Sequence, residues 1–75
     1  MSPEGAFVTF TFVTTHDALA AEELLLGAGL DVVPVPAPKT EKALCGLAMR
    51  LPAHQALSAE ETMTAGGVAY SGRVG

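Results

Sequence analysis

A chain of 75 residues has material for one core, and with 49% apolar and only 16% charged residues it is too hydrophobic to stay disordered. Four basic against eight acidic residues leave a formal charge of −4, which excludes the basic face that nucleic-acid binding requires and disfavours an anionic membrane surface. Met1-Ser2-Pro3-Glu4-Gly5 has neither the basic segment nor the apolar run of a secretory signal, and no apolar stretch nears the length of a membrane span. A single cysteine cannot close an internal disulfide, so a cytoplasmic protein folded as one domain over residues 1–75 is expected.

Residues 6–13 read as a strand, with Val8, Phe10 and Phe12 on one face and Thr9 and Thr11 on the other. Thr14 or Thr15 then caps a helix, since Thr14-Thr15-His16-Asp17 has the pattern of a capping box with Asp in third place. Its apolar face comprises Ala18, Ala21, Leu24, Leu25 and Ala28, and Gly29 ends it. Leu19 and Leu26 fall on the far side beside Glu22 and Glu23, either as scattered surface leucines or as a contact for a partner.

Residues 31–35 form a second, short strand, and Pro34 and Pro36, which have no N–H to donate, put it at a sheet edge. Pro36-Ala37-Pro38 leads into the polar loop Lys39-Thr40-Glu41-Lys42. Residues 44–51 make a third strand with Cys45, Leu47, Met49 and Leu51 on one face and Gly46, Ala48 and Arg50 on the other. Pro52 suits the first turn of a second helix reaching about Ala65, with a thin stripe of Pro52, Ala56, Ala59 and Met63. Gly66-Gly67 stops it, and residues 68–74 close the chain as a strand weakened by Gly72.

The order β-α-β-β-α-β suits a ferredoxin-like α+β fold, a four-stranded antiparallel sheet carrying both helices on one face. The expected strand order is 4-1-3-2, with Val8, Phe10, Phe12, Leu25 and Leu47 buried together. In that topology the first strand ends, the first helix begins, the second strand ends and the third begins at one edge. His16 and Cys45, far apart in sequence, are expected at that edge. The apolar surface left by so few charges also predicts self-association, most simply as a two-fold homodimer.

Chemistry concentrates on few residues. By pattern alone Cys45 shares a face with Leu47 and Met49 and reads as a packing residue, free cysteine being among the most buried types. The alternative is a reactive thiol, whose ionised form a helix N-terminus at Thr15-His16 and the loop cations Lys39 and Lys42 would favour. Gly46 beside it leaves room for a partner's backbone. His16 reads equally as an exposed residue of a first helical turn. One cysteine and two histidines offer too few ligands for a zinc site, and no cofactor is expected. His54 is expected on the surface at the other end. Glu22-Glu23 and Glu60-Glu61 are adjacent on helices, point apart, and read as solvated faces.

Three stretches carry a resemblance. Residues 11–22 (TFVTTHDALAAE), 36–39 (PAPK) and 45–50 (CGLAMR) resemble, in order and spacing, the putative selenium/sulfur carrier protein-like family of small bacterial proteins, over about residues 6–73. The resemblance implies a carrier without turnover of its own, holding sulfur or selenium on Cys45 as a persulfide-type adduct. It also implies a cysteine desulfurase or similar donor, and an acceptor protein. Strand one is richer in Phe and Thr than the family pattern, and helix two poorer in Leu and Lys. The rival from another class is a small dimeric interaction or regulatory module in which Cys45 is a core residue. A metallochaperone comes third, because paired cysteines are lacking.

Overall fold

The computed structural model describes residues 6–37 and 46–74. The chain runs β1 (Phe7–Thr11), α1 (Thr15–Gly27), β2 (Val33–Pro36), β3 (Leu47–Pro52), α2 (Ala56–Ala65) and β4 (Gly72–Val74), with a 3-10 turn, Ala53–Gln55, leading into α2. The strands form one antiparallel sheet in the order β2-β3-β1-β4. This is the ferredoxin-like α+β arrangement expected from the element order.

Strand alternation sorts the sheet into two faces. Val8 lies opposite Leu51 and Phe10 opposite Met49, and these four residues are fully buried. Ala18, Ala21 and Leu25 of α1 and Ala56, Ala59 and Met63 of α2 join the same core, so both helices cover this one face. Leu47, expected inside, is only partly buried and packs against the core's margin. Tyr70 closes one flank, its ring edge-on to Phe10 at 4.8 Å between centroids.

Several expected boundaries move, each for a local reason. β2 begins at Val33 rather than Asp31, because the Asp31 amide donates to Gln55 Oε1 and the Gln55 side-chain amide donates back to the Asp31 carboxylate. It extends through Pro36, whose register partner is Leu47. β3 starts at Leu47, with Gly46 as a bend before it; Leu44 and Cys45 of the expected strand lie outside the described residues. Pro52 ends β3 in extended geometry (φ −58°, ψ 143°) and does not open α2. Its ψ is incompatible with a helix, and its register partner is Phe7.

β4 keeps only its last three residues as strand. The Val68 amide is committed to the Met63 carbonyl at the end of α2, and the Ser71 amide donates to the Thr11 carbonyl at 2.7 Å. On α1, Leu24 is partly buried and Ala28 is exposed at the cap, so the apolar face narrows to Ala18, Ala21 and Leu25. Leu24 instead leans toward α2, where a Cβ on Gly66 would collide with its methyl groups. Among the described residues, no helix is long and apolar enough to cross a membrane.

Candidate functional site

The register brings distant segments to one end of the sheet. Thr11, the last residue of β1, lies opposite Ala48 near the start of β3 and opposite Gly72 at the start of β4. Pro36, the last residue of β2, lies opposite Leu47. Gly46 therefore stands at the same end as the segment that leaves β1 and enters α1. The Ala37 amide donates to the Gly46 carbonyl at 3.1 Å and ties the end of β2 to the start of β3. Space around Gly46 is open: a Cβ built there would meet nothing within 4 Å.

The helix start is fixed by its own sequence. Thr14 is extended (φ −128°, ψ 154°), its carbonyl accepts from the Ala18 amide, and its Oγ1 accepts from the Asp17 amide at 3.1 Å. Of the two threonines that suited the cap, Thr14 takes it and Thr15 becomes the first helical residue. First-turn amides such as those of Thr15 and His16 have no carbonyl within the helix to bond, so the positive end of the α1 dipole sits at this end of the sheet.

His16 reaches the predicted end of the molecule but faces outward there. With Leu19, Ala20 and Glu23 it rims a shallow surface depression, on the side of α1 opposite the buried Ala18, Ala21 and Leu25. Cys45, Lys39 and Lys42 lie outside the described residues. Of the six residues that sequence reading assigned to the site, the structure thus brings Thr15, His16 and Gly46 to one end.

Sequence reading missed two contributors to that end. Thr11 is buried, and its hydroxyl lies 3.0 Å from the Ser71 hydroxyl across 60 residues of sequence. Their link clamps the tail that follows α2 onto β1. No spacing signal joins them, because Thr11 reads as the exposed side of an alternating strand. Elsewhere, His54 is exposed in the 3-10 turn at the opposite end. Glu60, expected to be simply solvated, is partly covered and pairs with Arg73 at 2.6 Å. Among the described residues, no group of three or more His, Cys, Asp and Glu side chains gathers as a metal site would require.

The sequence model of the family described as "Putative Se/S carrier protein-like" matches residues 8–74. No curated protein and no solved structure matches the chain.

Proposed function

The chain belongs to the putative Se/S carrier protein-like family, and from that premise we propose that residues 1–75 act as one carrier domain with Cys45 as the thiol that holds the cargo. A carrier family implies donors and acceptors of sulfur or selenium in general; a cysteine desulfurase is the donor proposed here. The observation that carries the reading is the family match itself, which spans Cys45 and nearly the whole chain. The juxtaposition of Gly46, to which Cys45 is bonded, with the α1 N-terminus supports it.

The chemistry is an exchange between thiol and persulfide. The Cys45 thiolate attacks the outer sulfur of a donor persulfide. The donor's S–S bond breaks, its cysteine leaves as a thiolate, and Cys45 carries the S–SH group away. An acceptor thiolate reverses the step, and a selenium atom in the outer position follows the same course. Only the thiolate attacks efficiently, so the positive end of α1, with the cations Lys39 and Lys42 a few residues before Cys45 in the sequence, would favour the reactive form. Thr15 forms that helix end and Gly46 leaves it open to a partner. His16, on the outer side of α1, would act on the thiolate only through its charge. A reducing compartment such as the cytoplasm suits a free thiol.

Incubation with a cysteine desulfurase and cysteine, followed by mass spectrometry, should show the mass of one added sulfur on the peptide containing Cys45. Iodoacetamide should alkylate Cys45 in the native protein, faster at neutral pH than it alkylates free cysteine. His16→Ala should slow this modestly without unfolding the domain. Alkylation that requires denaturant would make Cys45 a packing residue and end the carrier reading.

A second reading rests on a separate observation. Leu19 and Leu26 stand 49% and 54% exposed on the outer side of α1, as a dimeric interaction module would require. Sedimentation at micromolar concentration separates the two, and a monomer there removes the dimeric module.

A further inference from the structure

The outward stripe of α1 is built like the seam of one helix packed on another. His16, Leu19, Glu23 and Leu26 recur at spacings of three, four and three, which at the helical repeat keeps them on one side. All four are exposed, Leu19 and Leu26 by 49% and 54%. The buried Ala18, Ala21 and Leu25 face the other way. Leu24 leans toward α2 from the opposite flank, so the stripe is turned away from the neighbouring helix.

The depression on this stripe has a definite form. Its rim is His16, Leu19, Ala20 and Glu23, residues i, i+3, i+4 and i+7 of one helix. Four residues set in that way make the hole that receives a side chain of a facing helix. Ala20 is small and leaves the hole open, and the exposed Leu19 is a side chain of the right kind to fill the same hole on another copy.

Two copies meet both requirements when α1 pairs antiparallel with itself across a two-fold axis between Leu19 and Ala20. Leu19 then lies at the level of Ala20 of the second copy, and the two Leu19 side chains meet beside the axis. His16 lies at the level of Glu23 of the second copy, and the symmetry makes this pair twice. Val13, 50% exposed just before α1, comes near Leu26 of the second copy.

Charge selects this register. Sliding the axis to set Leu19 against Leu26 would centre it between Glu22 and Glu23 and crowd four carboxylates together. A parallel pair would set Glu23 against Glu23 and His16 against His16. Each copy carries a formal charge of −4, which opposes association unless the contact itself is complementary.

We propose that the chain forms a two-fold dimer through α1, in which Leu19 of each copy fills the hole between His16 and Glu23 of the other. The His16 imidazole N–H donates to the Glu23 carboxylate of the other copy. Of the remaining acids of α1, Asp17 falls behind the stripe and Glu22 at its rim. Antiparallel helices put the two α1 N-termini, and with them the sheet ends where Gly46 stands, at opposite ends of the helix pair. The dimer therefore goes beyond the carrier reading and does not depend on it, and Cys45 need not be a core residue for the exposed leucines to have a use.

Sedimentation over a micromolar concentration series reads the dimer, and circular dichroism checks that each variant is folded. Wild type should dimerise, and Leu19→Lys, which sets two ammonium groups beside the axis, should leave a monomer. His16→Glu turns each pair into two carboxylates, and Glu23→Lys removes the acceptor; each should raise the dissociation constant about tenfold. Mixed together, these two variants should pair with each other at least as tightly as wild type pairs with itself. In that mixture the new lysine of one chain meets the new glutamate of the other, and the remaining His16 meets the remaining Glu23. A wild type that stays monomeric overturns the proposal. So does a mixture no tighter than either variant alone, which rules out the register. A dimer that survives Leu19→Lys overturns it too, and dispersal of that dimer by Leu57→Asp would give the contact to α2, where Leu57 is 68% exposed. None of these outcomes touches the carrier reading, which the mass of added sulfur on Cys45 decides.

Discussion

The two βα halves of the molecule stop their helices in the same way and start them differently. α1 ends with the Leu30 amide donating to the Leu25 carbonyl and the Gly29 amide to the Leu26 carbonyl. α2 repeats the pattern, with Val68 donating to Met63 and Gly67 to Thr64. In each half a glycine at positive φ (Gly29 +80°, Gly67 +76°) makes the turn, and the apolar residue after it returns to the core beside the helix's own last buried residue. The starts share nothing. Thr14 caps α1 with its own side chain, whereas α2 has no side-chain cap and is entered from Pro52 through a 3-10 turn. Gln55, at the position where a cap would stand, spends its side chain on Asp31. α1 is therefore specified locally at both ends, and α2 only at its end. Its start is set by where β3 delivers the chain.

If the halves share one core, the largest effects should be equal between them. Leu25→Ala and Met63→Ala each remove a fully buried side chain and should each cost about 2–5 kcal/mol in urea denaturation. A cost well below that for Met63→Ala alone would mean that α2 is peripheral and the comparison is lost. Intermediate effects should come from the shared stop. Gly29→Ala and Gly67→Ala, both at positive φ, should cost about 1–2 kcal/mol apiece. A clear inequality would separate two ends that the hydrogen bonds make alike. The smallest effects should expose the unequal starts. Thr14→Ala should lose about 1 kcal/mol with its cap. Gln55→Ala should lose about 0.5 kcal/mol, an exposed link to Asp31 and no cap bond. Amide exchange sharpens the point: Thr14→Ala should fray the first turn of α1, while Gln55→Ala should loosen the approach to β2.

The candidate site was legible only through topology and resemblance. His16 and Gly46 are 30 positions apart, and nothing in their spacing joins them. The β-α-β-β-α-β order leads to the expectation of His16 and Cys45 at one sheet end; the registers of β1 with β3 and of β2 with β3 put Gly46 at the end where α1 begins, and Cys45 lies outside the described residues. The outward aim of His16 could not be read from the pattern, because the first turn of a helix can present a residue to either side. Thr11 and Ser71 were missed because an alternating strand marks threonines as outward, whereas Thr11 is buried with its hydroxyl against Ser71 of the returning tail.

What the sequence determined by itself is local: the alternation of Val8, Phe10 and Phe12, the Thr14 cap, and the two glycine stops. These are choices of backbone conformation and of which side chains leave water, and a few neighbouring residues suffice to make them. What the tertiary structure decided is where strands begin and end. Asp31 left β2 for Gln55, Pro52 joined β3 in place of α2, and Val68 left β4 to close α2. Each of those boundaries turns on a backbone group or a proline whose partner is far away in the chain or on another element. The stacking of Arg50 over the Phe7 ring is likewise a tertiary fact, since only the register of β1 with β3 brings the two side chains together.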